Sequence, residues 1–104
     1  MIVEERIYTI KVGKLAEYLG YYESTGMPIQ TSILPRMVGY FTTDVGPLST
    51  VVHWWAYESY AEREEKRRVL SQHGEWKAYL KLIQPLILQQ ESRILVPTSF
   101  SPIH

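Results

Sequence analysis

The chain reads as an α+β domain: a four-stranded antiparallel sheet with helices on one face. Three observations predict it. Strand and helix patterns follow one another as strand, helix, strand, strand, broken helix, strand. The stretch from Thr50 to Leu70, TVVHWWAYESYAEREEKRRVL, is apolar and aromatic at first and then switches abruptly to a charged helix. Two crossovers of the usual right-handed sense place both helices on the same side of the sheet, which is the split β-α-β arrangement of ferredoxin-like domains.

Each element has its own signal. Ile2 to Lys11 alternates, with Val3, Glu5, Ile7 and Thr9 on one side and Glu4, Arg6, Tyr8 and Ile10 on the other, and Gly13 ends it. From Lys14 a helix is expected, because Leu15, Tyr18, Leu19 and Tyr22 form one apolar stripe. Gly26 and Pro28 are expected to terminate it, the first as a left-handed cap and the second because it lacks an N–H. Ile29 to Leu34 predicts a short further helical turn before Pro35. Arg36 to Thr43 is the second strand, with Gly39 a point where a neighbour can approach the backbone closely. Asp44-Val45-Gly46-Pro47 is a turn, so strands two and three form a hairpin.

In the third strand Val51, His53, Trp55 and Tyr57 alternate with Val52, Trp54 and Ala56, so neither side suits solvent. Such a strand belongs in the middle of a sheet covered on both faces. Ser59 and Glu62 form a capping box that opens a helix reaching about Gln72. Within it, Glu62 with Lys66 and Glu64 with Arg68 are favourable pairs. Arg63 and Arg67 are a like-charged pair on the stripe of Tyr60 and Leu70, the stripe expected to face the sheet, so an anion is expected between them. His73-Gly74 breaks the helix, and Glu75 to Gln84 resumes it with Trp76, Tyr79, Leu80 and Ile83 buried, closed by Pro85. Leu86 to Val96 is the last strand; its centre, Gln89 to Ser92, is polar on both faces, as in an edge strand or one lining a polar cavity. Residues 1–97 form a single domain and 98–104 a tail.

Composition removes several functions. Lysine plus arginine and aspartate plus glutamate number 11 each, so no net field favours nucleic acid, an acidic partner or a membrane surface. There is no cysteine, hence no disulfide or thiol nucleophile. The N-terminus enters a strand pattern at once, so no signal or transit peptide is expected, and a cytoplasmic, soluble protein is. His53, His73 and His104 share no ligand spacing, so no metal is expected. There is no phosphate loop, nucleophile elbow or DNA-binding signature.

With both helices on one face the other face is bare. Strand three presents there either His53, Trp55 and Tyr57 or Val52, Trp54 and Ala56, a patch large for a monomer. A homodimer with facing sheets that enclose a cavity, a dimeric α+β barrel, is therefore expected. His53 is the candidate catalytic residue, as a proton shuttle, set against a core histidine satisfied by Tyr8, Glu58 or water. Tyr8, Tyr40, Trp55 and Tyr57 are candidate pocket walls, set against plain core or interface. Arg6, Arg63 and Arg67 are candidates for binding a carboxylate or phosphate, set against an internal salt bridge to Glu5, Glu58 or Glu91.

The run VVHWWAYESYAEREEKRR, then EW and YL in GEWKAYL, then QESRIL and a proline, resembles the NIPSNAP family. Upstream, IYTIKVGKLAEYL and VGYFTTDVGPL resemble its first strand and helix and its central hairpin, so the resemblance spans roughly residues 6 to 97. The chain departs from the family at Ser49, where asparagine is frequent, and at His73-Gly74, where Asp-Pro is frequent. The resemblance implies a dimeric α+β barrel, in a superfamily with cofactor-free monooxygenases, small dehydratases and haem-degrading enzymes; eukaryotic relatives carry mitochondrial targeting sequences and act in protein interactions. Haem rests on that analogy alone, with His53 as nominal ligand, and no cofactor is expected.

The function expected is a homodimeric barrel that binds a small organic molecule in a cavity lined by Tyr8, Tyr40, His53 and Trp55. Cofactor-free oxygenation or proton transfer by His53 is the chemistry to test. The rival is a structural or interaction module whose interior is filled by side chains. A cavity of about 300 Å³ or more separates the two.

Overall fold

The computed structural model describes residues 1–104. Four strands, β1 (Ile2–Ile10), β2 (Met37–Thr42), β3 (Thr50–Tyr57) and β4 (Ile87–Leu95), form one antiparallel sheet in the order β2-β3-β1-β4. This is the expected ferredoxin-like sheet, with β1 and β3 central and β4 on an edge.

The first helical segment differs from the expectation. It does not stop at Gly26 and Pro28 but runs through them as α1 (Leu15–Tyr21), a π turn (Tyr22–Gly26) and α2 (Met27–Ile33). The wider π turn resets the hydrogen-bond register, so that Pro28 falls in the first turn of α2, where a missing N–H leaves no bond unmade. Gly26 serves as a point of close approach: a Cβ there would lie 2.5 Å from the Tyr79 ring.

The helix from Ser59 forms as expected. In α3 (Tyr60–Gln72), Ser59 Oγ accepts from the Glu62 amide at 3.1 Å, while Glu62 reaches back to the Glu58 amide at 2.6 Å. His73 both ends α3 and caps α4 (Gly74–Ile83), its Nδ1 accepting from the Trp76 amide at 3.3 Å.

The pairing register decides which residues share a face. Ile2, Glu4, Arg6 and Tyr8 of β1 stand beside Tyr57, Trp55, His53 and Val51 of β3, and this side packs on the helices. Its core joins Tyr8, Val51, Trp55 and Tyr57 to Tyr18, Leu70, Tyr79 and Ile83. The open side carries Glu5, Ile7, Val52 and Trp54, with Phe41 laid over Gly39 so closely that a Cβ there would meet its ring at 2.5 Å. Glu5 fastens this side, accepting from Trp54 Nε1 at 2.9 Å and Arg93 Nε at 2.6 Å.

Candidate functional site

Alternation along β1 sends Glu4 and Arg6 inward beneath the helices, and α3 lowers Arg63 and Arg67 onto them. Glu4 is fully buried. Arg63 grips it with two hydrogen bonds, Nε to Oε1 at 3.1 Å and Nη2 to Oε2 at 2.9 Å. Arg6 Nη1 donates to Oε2 at 3.1 Å and Ser92 Oγ to the same oxygen at 2.6 Å. Arg67 Nη1 stands 3.8 Å from Oε1. Burial alone would raise the Glu4 carboxyl, but hydrogen bonds from Arg63 and Ser92 and the charges of Arg67 and Arg6 outweigh it and bring it down to about 2.

The anion expected between Arg63 and Arg67 is thus Glu4, not Glu5, Glu58 or Glu91. Glu5 and Glu91 stand on the open side of the sheet, and Glu58 pairs with Arg36. Three guanidiniums surround one carboxylate, which leaves two positive charges uncompensated. One of those guanidiniums is incompletely bonded: Arg67 Nη1 is buried without a hydrogen-bond partner. It and the Tyr57 hydroxyl are close enough to interact electrostatically, yet neither has a partner at hydrogen-bonding geometry.

Arg67 forms part of the wall of a cavity of about 520 Å³ between the sheet and α4. Arg6, Tyr8, Gln30 and Arg67 supply its inner polar wall; Trp76, Leu80 and Ile83 supply an apolar one, and the start of β4 closes the side. Leu80 is partly and Leu88 largely exposed at its rim, so it opens to solvent along the β4 edge. Of the four residues expected to line the cavity, only Tyr8 does. His53 and Trp55 lie deeper in the same layer and Tyr40 stands partly buried beyond them on β2, and because all four face the helices, facing sheets in a dimer would not enclose them.

His53 sits behind Tyr8 with 1% of its surface exposed. Its Nδ1 accepts from Trp55 Nε1 at 2.6 Å, so the proton of the neutral ring resides on Nε2, which has no acceptor. Tyr40 stacks on the ring at 4.5 Å and Tyr8 meets it edge-on at 4.9 Å; Tyr22 continues the stack beyond Tyr40 at 4.5 Å. Burial, reinforced by the charge of Arg6 against the pull of Glu4, pushes the ring down to about 3, so it is neutral throughout the physiological range. Haem ligation through this ring does not fit, since Nε2 is sealed away from the cavity. The tyrosines form their own network, with the Tyr18 and Tyr40 hydroxyls 2.7 Å apart and Tyr22 donating to Gln30 Oε1 at 2.6 Å. Burial raises Tyr18, Tyr22 and Tyr40 well above the ordinary tyrosine value and keeps their protons in place.

Sequence reasoning overlooked Glu4, Gln30 and the α4 wall as parts of this site. Glu4 and Arg6 did carry a signal, two charged residues on the side of β1 shared with Tyr8 and Ile10. Trp76, Leu80 and Ile83 had the helical spacing of ordinary core, and that spacing does not reveal a gap beside them.

The arrangement matches known proteins. The NIPSNAP family profile matches residues 3–102. The chain belongs to the NIPSNAP family. A NIPSNAP family protein from Agrobacterium tumefaciens, solved by crystallography, is 48% identical, with a TM-score of 0.97 over 99% of this chain and 98% of that one. NipSnap homolog 2 of Danio rerio is 33% identical over 98% of this chain but only 35% of its own length. The chain thus spans about a third of the curated relatives it matches. Beyond the family, the fold resembles that of an antibiotic biosynthesis monooxygenase at a TM-score of 0.67, over 94% of this chain and 99% of that one. At 14% identity this likeness shows a shared fold and no more. No helix of the NIPSNAP domain is long and apolar enough to cross a membrane.

Proposed function

We propose that this NIPSNAP domain is a homodimeric binding protein that takes a small organic molecule into the cavity between the sheet and α4. One observation carries the reading: the space is about 520 Å³, within the range of about 300–1,000 Å³ typical of ligand pockets, and combines an apolar wall with a few convergent polar groups. A module whose interior is filled by side chains lacks such a space. The ligand meets Arg6, Tyr8 and Arg67 directly; Tyr40 and Trp55 hold His53, which packs behind Tyr8, Tyr57 is core, and Arg63 fixes Glu4. His53 takes no direct part in chemistry in the cavity: its Nε2–H is sealed away behind Tyr8, and its neutral ring is a poor proton acceptor.

The dimer is inferred from the open side of the sheet. Ile7, Val52, Trp54 and the half-exposed Phe41 make a continuous apolar strip along three strands, which facing sheets would cover. Native mass spectrometry of freshly purified protein tests both parts. The expected spectrum shows twice the chain mass plus a releasable small molecule. A bare monomer mass that also binds nothing in a fragment screen contradicts the reading.

A further inference from the structure

The cavity also carries information about the charge of its occupant. Glu4 already accepts four hydrogen bonds, from Arg63 twice, Arg6 and Ser92, which is the usual capacity of a carboxylate. Three of the four crowd Oε2; Oε1, which accepts only from Arg63 Nε, lies 3.8 Å from Arg67 Nη1, beyond hydrogen-bonding reach, so that nitrogen stays buried and unpaired. An unpaired buried guanidinium nitrogen is costly, and native proteins seldom leave one without a partner that arrives from elsewhere. Arg67 comes within ion-pairing distance of no carboxylate other than Glu4. Glu5 and Glu91 are on the far face of the sheet, Glu58 and Glu65 are engaged by Arg36 and Arg68, and Glu62 by Lys66.

We infer that the ligand is an amphipathic carboxylate, its acid group paired with Arg67 and Arg6 at the inner wall and its apolar body lying along Trp76, Leu80 and Ile83. This rests on the reading of the cavity as a binding site and adds the class of molecule. The flat guanidinium fork suits a planar carboxylate, and the Tyr8 hydroxyl and Gln30 amide are neutral groups that add hydrogen bonds without further charge. The single acid places its charge where two guanidiniums are uncompensated, while the rest of the molecule needs no polar partner against α4. The opening beside Leu80 and Leu88 admits an apolar chain end-on.

The test compares octanoate with its neutral isostere octanamide, and with octyl phosphate, by calorimetry on the intact protein. Octanoate is expected to bind at least tenfold more tightly than octanamide, and the preference should shrink in Arg67→Gln and partly survive in Arg67→Lys, with circular dichroism confirming that both variants fold. Equal binding of octanoate and octanamide overturns the charge inference but leaves the cavity reading intact. Tighter binding of octyl phosphate than of octanoate replaces the carboxylate by a phosphate and also overturns it. Failure of all three to bind wild-type protein removes the cavity reading with it. The wild-type comparison stands even where a variant does not fold.

Discussion

Glu4 and Glu5 are neighbours in one strand with opposite fates. Glu4 points under the helices, fully buried, and is held by Arg63, Arg6 and Ser92. Glu5 points to the open side and holds Trp54 and an Arg93 that is itself two-thirds exposed. One side of the sheet thus has excess positive charge beside a cavity, and the other has a balanced ion pair set in an apolar strip. In the function proposed above, the difference separates two jobs: the helix side would receive a small molecule, and the open side would be covered by another surface.

The largest effect that tests this contrast is Glu4→Gln. It leaves three guanidiniums without their anion, and loss of one partner in a buried ionic cluster costs about 3–5 kcal/mol, to be read as a lowered unfolding free energy in urea. Glu5→Gln should cost only about 1 kcal/mol, because Arg93 keeps its water. Equal losses would erase the distinction between the two faces. Between these two lies Gly26→Ala, whose new methyl must displace the Tyr79 ring; overpacking of this kind costs about 1–3 kcal/mol and should appear in the same denaturation curves.

The last test is the dependence of stability on pH, which reports only the helix side. His53 falls from its ordinary 6.5 to about 3 in the fold, so between those values the unfolded chain holds a proton that the native chain refuses, and stability declines as pH falls. Glu4 adds a second decline from 4.5 towards 2 for the same reason: its carboxyl is charged in the native state and protonates first in the unfolded chain. Urea titrations at several pH values should show both declines, His53→Gln flattening the upper and Glu4→Gln the lower. A wild-type profile that is flat from pH 6.5 to 3 would contradict the burial of a neutral His53.

Much of this was legible beforehand, and the rest was hidden for identifiable reasons. The four strands, the Ser59 capping box and the Arg63–Arg67 stripe in need of an anion all follow from local patterns that act within a few residues. Alternation in β1 and β3 groups residues by side but does not say which side meets the helices, so His53 and Trp55 could equally have faced a partner. That choice is made by long-range packing of Tyr18, Leu70 and Tyr79. The π turn escaped notice because Gly26 and Pro28 are the usual residues of a helix end; only the Tyr79 ring against Gly26 shows why the helix continues. The cavity escaped because a gap between Arg67 and Trp76 has no sequence signature of its own.

The three tryptophans allow a direct reading of the two faces. Trp76 stands on the cavity wall, Trp54 on the open side and Trp55 in the core between them. A ¹⁵N-resolved NMR titration of the protein with octanoate, following the three indole N–H signals and Arg67 Nε–H, should move Trp76 and Arg67 and leave Trp54 still. Movement of Trp54 with Trp76 and Arg67 unchanged would place the ligand on the open side and contradict the account.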